Sequence, residues 1–376
     1  MDFAFTEEQE QIRAAIAKIC AKFDDAYWLK KDKDGGFPSE LHQALAKDGW
    51  LGVAMPEEYG GSGLGITEAA VMMQAIAESG AGFSGASAVH MNIFGLNPVV
   101  VFGNESQKQR MLPPLIAGKE RSCFAVTEPN TGLNTRSLKT RAVKKGGKYL
   151  VSGQKVWIST AQVAEKILLL ARTDAGLTLF YTDFDRKHIE VREIEKMGRH
   201  AVDSNQVFFD AYPVPEEDRI GEEGKGFEYI LHGMNPERIL IAAESVGLGR
   251  CALKRAANYA KERIVFDRPI GQNQGIQHPL AANWMALEAA NLMVFKAAWL
   301  YDSGKPSGAE ANAAKYLAGE AGFDACQQAV MTHGGFGYAK EYHVERYLRE
   351  SLVGRIAPVS PQLILCFIAE RVLGLP

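Results

Sequence analysis

The spacing of apolar residues changes twice along this sequence, and these changes limit the possible folds more than any other feature. Apolar residues recur at helical spacing in the first third, short β-prone runs between turns follow, and helical spacing returns after Gly226. The sequence therefore predicts an α+β multidomain fold. We expect an N-terminal α-helical domain over residues 1–122, a middle β domain over 123–225 and a C-terminal helical bundle over 226–376.

Individual elements are predicted from the same patterns. Helices are expected behind the capping residue Thr6 and in every later segment of helical period, over residues 6–23, 39–48, 67–79, 105–117, 226–233, 236–262, 274–302, 307–334, 342–352 and 360–373. Strands are expected where β-prone residues cluster, at 149–151, 155–158, 166–171, 178–181 and 206–209. A Gly/Ser-rich stretch at 80–86 is interpreted as a connection between helices.

Composition argues against several classes of protein. The formal net charge is -3 and 23% of the residues are charged, so we expect neither a nucleic-acid-binding surface nor a charged tail. The five cysteines are far apart and include no C-x-x-C pair, which is typical of reduced thiols in a cytoplasmic protein. We expect no bound metal, no signal peptide and no membrane-spanning segment.

One carboxylate stands at the start of an apolar helix. We interpret Asn235 as the N-cap, Pro236 as the first helical residue and Glu237 as part of the first turn. Apolar and small residues surround the rest of the segment to Gly249, so this helix is expected in the interior. Taken alone, Glu237 is most simply a carboxylate that complements the helix dipole.

Two segments of the β domain could bind a flat or phosphorylated ligand. Residues 123–134 run from a strand into a turn rich in Thr, Asn and Gly, and alternation along 155–160 places Trp157 and Ser159 on one face. A capped surface turn and a core Trp beside an edge hydroxyl explain the same residues.

Two segments of the C-terminal domain carry similar ambiguity. Residues 263–274 join two long helices and could be only a hairpin with a cationic last turn, and residues 333–338 could be only a glycine-rich helix end. We interpret His333 and His343 as ordinary histidines because neither has a partner at metal-ligand spacing.

Together these segments resemble the acyl-CoA dehydrogenase family, in the same order and over nearly the whole chain. The resemblance rests on residues shared with the family pattern, namely Thr127-Glu128-Pro129, Gly132, Trp157-Ile158-Ser159, Val214-Pro215, Gly221, Gly224, Gly226-Phe227, Arg263, Phe266, Gln274, Gly334-Gly335, Gly337-Tyr338, Glu345-Arg346 and Arg349. It implies an N-terminal helical domain, a middle β-barrel-like domain and a C-terminal four-helix bundle, assembled as a homotetramer.

The resemblance also implies FAD as the cofactor. Residues of the β domain would lie at the flavin ring, with Ser159 hydrogen-bonded near N5, and these are Phe124, Val126, Thr127, Trp157, Ile158 and Ser159. Residues of the C-terminal domain would contact the FAD of a neighbouring subunit, and these are Arg263, Phe266, Gln274, Gly334, Gly335, Ser360 and Gln362.

The catalytic base is implied by the same resemblance. Many members carry a Glu where this sequence has Pro358, which also lacks an N–H to donate to the thioester carbonyl. The isovaleryl and long-chain enzymes instead place a Glu before an Arg, an arrangement that Glu237-Arg238 matches. Glu237 would then remove the α-proton, while Asn235 and Arg238 would help hold CoA. Glu244 lies two turns along the same helical face, and we expect it to pair with a bundle Arg or Lys in a structural role; the alternative is contact with the acyl chain.

The activity implied is dehydrogenation of an acyl-CoA thioester, with hydride passing to flavin N5 and electrons passing to an electron-transfer flavoprotein. Two alternatives remain open. One is a non-catalytic or partner-dependent subunit of a mixed tetramer, which Leu133, Met331 and Pro358 would permit because they replace or remove polar contacts of the family pattern. The other is a flavin oxidase or monooxygenase of the same fold.

Overall fold

The computed structural model describes residues 4–376, which contain thirteen α-helices and ten strands. The N-terminal region is helical: α1 (Glu7–Cys20), α2 (Asp25–Asp34), α3 (Ser39–Lys47), α4 (Ile66–Ile76), α5 (Gly82–Phe94), α6 (Asn97–Phe102) and α7 (Glu105–Ile116). The predicted cap of the first helix is confirmed, because the Thr6 hydroxyl accepts from the Gln9 N–H at 3.2 Å.

The prediction that residues 80–86 connect two helices is correct for the first part of the stretch and wrong for the rest. Gly80 (φ 102°) and Gly82 (φ 63°) break the helical path between the π-helical turn at Ala77–Ala81 and α5, whereas residues 83–86 lie within α5. Its glycines serve packing: Gly82 has φ +63°, and a Cβ there would lie 2.6 Å from Oε2 of Glu350. Tertiary contact therefore outweighs the low helix propensity of glycine and serine.

The middle region is a β-sheet, as predicted. Its strands are β1 (Ser122–Ala125), β2 (Arg141–Lys145), β3 (Lys148–Ser159), β4 (Lys166–Thr173), β5 (Gly176–Asp183), β6 (Ile189–Glu193), β7 (Ser204–Pro215) and β8 (Arg219–Ile220). The order is β6-β7-β3-β2-β4-β5-β8, with β1 parallel to β4. Within residues 4–376 no pairing joins β6 to β8, so hydrogen bonds do not close the sheet into a barrel.

The C-terminal region is helical again, apart from a short ribbon. Its elements are α8 (Gly226–His232), α9 (Met234–Glu262), β9 (Ile264–Val265), β10 (Arg268–Pro269), α10 (Gln274–Asp302), α11 (Gly308–His333), α12 (Val344–Ile356) and α13 (Pro361–Arg371). Helices α9 to α12 pack together, and α9 also packs on α4 and α5 of the N-terminal region. Helix α9 is thus the element that both helical regions share.

Side chains tie the regions together around α9. Asp302 at the end of α10 accepts from the backbone N–H groups of Ile66 and Thr67 at 2.8 Å each, and so caps α4. Arg349 of α12 forms a two-point ion pair with the buried Asp32 of α2, at 3.0 and 2.7 Å. These contacts join helices of the N-terminal region to the C-terminal bundle, and the candidate site lies between α5 and α9, where the same two regions meet.

Two helical stretches are long and apolar enough to cross a membrane by length and composition alone, Ile66–Phe102 and Val344–Arg371. The first lies largely inside the protein, as core helices commonly do, and the second is mostly exposed and is interrupted between α12 and α13. Such stretches are weak evidence, so the expected absence of a membrane-spanning segment stays a prediction.

Candidate active site

Helix α9 places Glu237 in its first turn, but the helix does not begin as predicted. Gly233 has φ −80° and ψ −8°, so the chain passes from α8 into α9 without the extended residue that an N-cap requires. Asn235 therefore is not the N-cap. Its side-chain oxygen accepts instead from Nη1 of Arg238 at 3.2 Å, and the same nitrogen donates to the Met234 carbonyl at 3.1 Å.

The interior position predicted for this helix is confirmed. Glu237 is 8% exposed and Glu244 is fully buried, and the apolar residues between them are buried as well. Glycine allows neighbouring helices to approach, because a Cβ at Gly247 would lie 2.4 Å from the carbonyl oxygen of Gln74 on α4. Glu237 is therefore a carboxylate in a low-dielectric seam, not a surface group.

His90 of α5 lies between the two carboxylates of α9. Its Nδ1 is hydrogen-bonded to Oε1 of Glu244, and its Nε2 is 3.5 Å from Oε1 of Glu237. The prediction that a bundle Arg or Lys pairs with Glu244 is therefore wrong. The partner comes from the N-terminal region because α5 packs across the start of α9, which the sequence pattern does not show.

The charge of His90 follows from these neighbours. Burial alone would lower the pKa of His90, but the negative charges of Glu244 and Glu237 outweigh it and raise that pKa to about 10. The imidazole is thus a cation at neutral pH, held between two buried carboxylates.

Arg199, which precedes β7, connects this cluster with the β domain. Its guanidinium donates to the hydroxyls of Ser159 at 2.9 Å, Ser87 at 3.2 Å and Ser204 at 3.2 Å. Ser87 lies on α5 one turn before His90, so Ser159 is brought to the seam that holds Glu237. Sequence reasoning missed both His90 and Arg199.

A chain of aromatic rings makes a second connection. The ring of His90 lies 4.9 Å from that of Phe94, which lies 5.5 Å from that of Phe124 on β1. The structure therefore brings Phe124 and Ser159 to the neighbourhood of Glu237. Val126 and Ile158 differ, because their side chains are buried in the hydrophobic cores and leave only backbone atoms for a ligand.

The turn after β1 is held rigidly by a buried ion pair. Nζ of Lys155 donates to the carbonyl of Val126 at 2.9 Å and to Glu128 at 3.0 Å. Burial lowers the pKa of Lys155 to about 8, against the opposing effect of Glu128. The Thr127 carbonyl accepts from the Val156 N–H at 2.9 Å, and the buried hydroxyl of Thr131 has no hydrogen-bond partner.

Trp157 stands on a bulge of β3. The pairing with β7 shifts between Lys155 and Ile158, and Trp157 has φ 61°. Its side chain is 59% exposed, which is unusual for an indole in a sheet. The alternative of a core Trp is thereby wrong.

The predicted residues of the C-terminal domain form a separate, exposed group. The Arg263 guanidinium lies 5.5 Å from the ring centre of Phe336, next to Gly334 and Gly335, which have open space where a Cβ would be. Phe266, on the turn between β9 and β10, is 93% exposed, and Gln274 opens α10 at the surface. Nothing in the described part of the chain covers this group.

Ser360 and Gln362 lie at the start of α13. The Ser360 hydroxyl caps that helix by accepting from the Leu363 N–H at 3.3 Å, and Gln362 is exposed. Nζ of Lys315 donates to the carbonyls of Arg355 and Val359 at 2.7 and 2.8 Å and so holds the loop that carries Pro358.

No group of three or more His, Cys, Asp or Glu that could hold a metal ion occurs within residues 4–376. The five cysteines are unpaired, and all but Cys366 are buried. The seam itself presents a buried carboxylate, Glu237, beside the imidazolium of His90.

Comparison with known families accounts for almost the whole chain. Residues 6–119 match the acyl-CoA dehydrogenase N-terminal domain, residues 123–212 match the middle domain and residues 224–373 match the C-terminal domain.

Individual relatives agree over their full length. Acyl-CoA dehydrogenase FadE12 of Mycobacterium tuberculosis is 38% identical, with 100% of this chain and 98% of the relative covered. The caffeyl-CoA reductase-Etf complex subunit CarC of Acetobacterium woodii is 33% identical, with 96% of each covered. The structure of butyryl-CoA dehydrogenase from Megasphaera elsdenii is similar with a TM-score of 0.95 at 29% identity, over 99% of this chain and 100% of that one.

Proposed function

We propose, from the premise that this chain belongs to the acyl-CoA dehydrogenase family, that it oxidises an acyl-CoA thioester between its α- and β-carbons with FAD as cofactor. The observation that carries the proposal is the position of Glu237. It is a buried carboxylate at the seam between α5 and α9, and Arg199 and Phe124 connect that seam with the strand ends that carry Ser159 and Thr127.

Glu237 has the role of general base. A carboxylate can remove the proton of a thioester α-carbon when it lies within hydrogen-bond reach and water is excluded. Burial of Glu237 supplies the exclusion of water, and the packing of α4, α5 and α11 around α9 holds the helix in place. Glu237 immediately precedes Arg238, which supports the assignment to the base position of the isovaleryl and long-chain type.

The residues present fit FAD, which acyl-CoA dehydrogenases typically contain. Three observations support a flat, phosphorylated ligand: the buried hydroxyl of Thr131 has no hydrogen-bond partner, Trp157 is exposed, and the backbone at Gly132 is open. When bound, FAD supplies the acceptor for the hydride that leaves the β-carbon. The flavin ring of FAD would be held by Phe124, Thr127, Trp157 and Ser159, and by backbone atoms of Val126 and Ile158.

The exposed group of the C-terminal domain supports an oligomer. Arg263 has the forked donors that suit a pyrophosphate, and Phe266 and Gln274 are exposed on the segment that follows it. We assign these residues, with Gly334, Gly335, Ser360 and Gln362, to FAD contacts that need a second copy of the chain. The family pattern supports a homotetramer, and the unpaired, widely spaced cysteines support a cytoplasmic location.

Substrate and electron acceptor are assigned by the same pattern. Arg238 and Asn235 form a hydrogen-bonded pair near the N-terminus of α9 and would hold part of CoA. An electron-transfer flavoprotein would accept the electrons; the relative CarC carries the name of a subunit of a complex with such a partner.

Anaerobic mixing of the purified protein with a panel of acyl-CoA thioesters tests the proposal. We expect about one FAD per chain and loss of the visible flavin absorption with at least one thioester. FAD that stays oxidised with the entire panel would favour a non-catalytic subunit. Rapid peroxide formation when air is admitted to the reduced protein would favour an oxidase or monooxygenase.

A further inference from the structure

We propose that His90 is a positioning residue for the base: it bridges Glu244 and Glu237 across the domain seam and orients the Glu237 carboxylate toward the substrate α-carbon. This inference rests on the proposed function. It adds to that function a residue of the N-terminal domain and a second carboxylate of α9.

The two contacts of His90 differ in the distance between ring nitrogen and carboxylate oxygen. Nδ1 is in a short hydrogen bond with Glu244, which is fully buried, whereas Nε2 stands 3.5 Å from Glu237 and has no closer partner. A separation of 3.5 Å is slightly longer than a normal hydrogen bond. Glu244 therefore anchors the imidazole, and the base keeps a small freedom to turn toward a bound thioester.

The geometry of α9 makes the bridge possible. Glu237 and Glu244 are seven residues apart, which is about two helical turns, so both side chains leave the same face of the helix. The imidazole lies opposite the interval between them, and the neighbouring Phe94 ring limits its rotation. Each ring nitrogen thus faces one carboxylate.

The charges make the bridge more than a packing contact. Two buried carboxylates on one helix face destabilise each other unless a cation lies between them. His90 supplies that cation from α5, and the guanidinium of Arg199 is the other positive group near Glu244. Arg199 donates only to serine hydroxyls, so it does not replace His90 as a partner of Glu237.

A purely structural tie between α5 and α9 is the competing explanation. It predicts that loss of His90 affects stability and proton exchange in the same way as loss of any other hydrogen bond between α5 and a C-terminal helix. Ser84 offers a matched comparison, because its hydroxyl ties α5 to Glu350 of α12 at 2.7 Å and makes no contact with Glu237.

The test measures proton abstraction alone, in the FAD-loaded protein. An acyl-CoA analogue with sulfur in place of the β-carbon has an acidic α-hydrogen and no β-hydrogen to transfer. Its α-hydrogen exchange with deuterated water is followed by mass spectrometry in wild type, His90→Gln, Glu244→Gln and Ser84→Ala. Circular dichroism, FAD content and the analogue's Kd are measured on the same samples.

We expect exchange to fall by about tenfold to a hundredfold in His90→Gln and Glu244→Gln, with the Kd changed by less than about threefold and Ser84→Ala like wild type. Wild-type exchange in His90→Gln, or an equal loss in Ser84→Ala, would overturn the inference and leave the base assignment intact. If wild type itself exchanges no α-hydrogen and reduces no flavin with any thioester, the proposed function and this inference both fail.

Discussion

The two ends of α9 differ in how far their charged side chains are buried and paired within one chain. At the start, Glu237 and Glu244 are buried, and His90 partners both of them. At the end, Arg263 and Phe266 are exposed, and the Arg263 guanidinium lies 5.5 Å from the ring centre of Phe336. At the start the charged groups are buried and paired within one chain, whereas at the end Arg263 and Phe266 lie at the surface.

The two ends of α9 are too far apart to contact the same FAD molecule. Residues 237 and 263 lie about 39 Å apart along the helix axis at 1.5 Å per residue. That separation exceeds the length of an extended FAD molecule. It supports our proposal that a chain holds the flavin of its own site near Ser159 and serves another copy's FAD through Arg263.

The largest expected effect lies at the buried end. Glu237→Gln keeps the shape and hydrogen bonding of the side chain but cannot accept a proton, so flavin reduction by acyl-CoA should slow by about 10² to 10⁴-fold. Rapid mixing measures this rate. Glu262→Gln, an exposed change at the other end of the same helix, is the matched control and should react like wild type.

A smaller effect on binding is expected at the exposed end. Arg263→Ala removes forked donors suited to a pyrophosphate and should raise the Kd of FAD by about tenfold to a hundredfold, since hydrogen bonds to charged groups contribute about 1.5–3 kcal/mol. Flavin fluorescence during reconstitution of the apoprotein reports the Kd. Equal weakening by Lys261→Ala, which removes the same charge nearby, would show that Arg263 has no specific role.

The buried end of α9 should also make the stability of the protein depend on pH, through His90. The pKa of His90 is raised from about 6.5 in an unfolded chain to about 10, because Glu244 and Glu237 outweigh the effect of burial. Its stabilising effect is therefore fully present below about pH 6.5, declines as the pH rises and is lost by about pH 10. The groups that face it are Glu237 and Glu244 of α9, with Arg199 near Glu244.

Urea-unfolding midpoints of wild type and His90→Gln, measured across this range, give the comparison. The difference between the two midpoints should be largest at the acidic end and shrink toward about pH 10. A difference that stays constant with pH would mean that packing, not charge, accounts for the contribution of His90.

The smallest effect is expected at the loop held by Lys315. In the Glu237→Gln background, Pro358→Glu should recover flavin reduction by less than about tenfold, because a carboxylate placed there has no surrounding built to orient it. Pro358→Gln provides the control without a carboxylate. Recovery close to the wild-type rate would show that this loop retains a working base position.

Much of the fold could be predicted because its signals are local. The helical period places α9 and α10 to within a few residues, whereas the two strands predicted at 149–151 and 155–158 are parts of one strand, β3. Gly and Pro mark the turns between many of the elements. Helix α5 was missed because its Gly and Ser residues favour turns locally. Contacts between Gly82, Ser84 and the distant Glu350 decide its conformation, and no local pattern contains them.

In the candidate site, too, residues with a local sequence signal could be predicted and residues defined by distant contacts could not. Glu237 could be proposed from its position in a helix and from the family resemblance, and Trp157 from its strand. His90 and Arg199 could not, because their roles come from pairing across domains: His90 with two carboxylates of α9 and Arg199, at φ 57°, with hydroxyls from three segments. A histidine within a run of small residues was the one signal available, and it did not identify a partner.

The most direct test of the central claim is an experimental structure of the FAD-loaded protein with the sulfur-containing acyl-CoA analogue bound. We predict that the α-carbon lies about 3–3.5 Å from a carboxylate oxygen of Glu237, with His90 still joined to Glu244 on the far side. An α-carbon that faces residue 358 or Glu244, with Glu237 out of reach, would contradict the account.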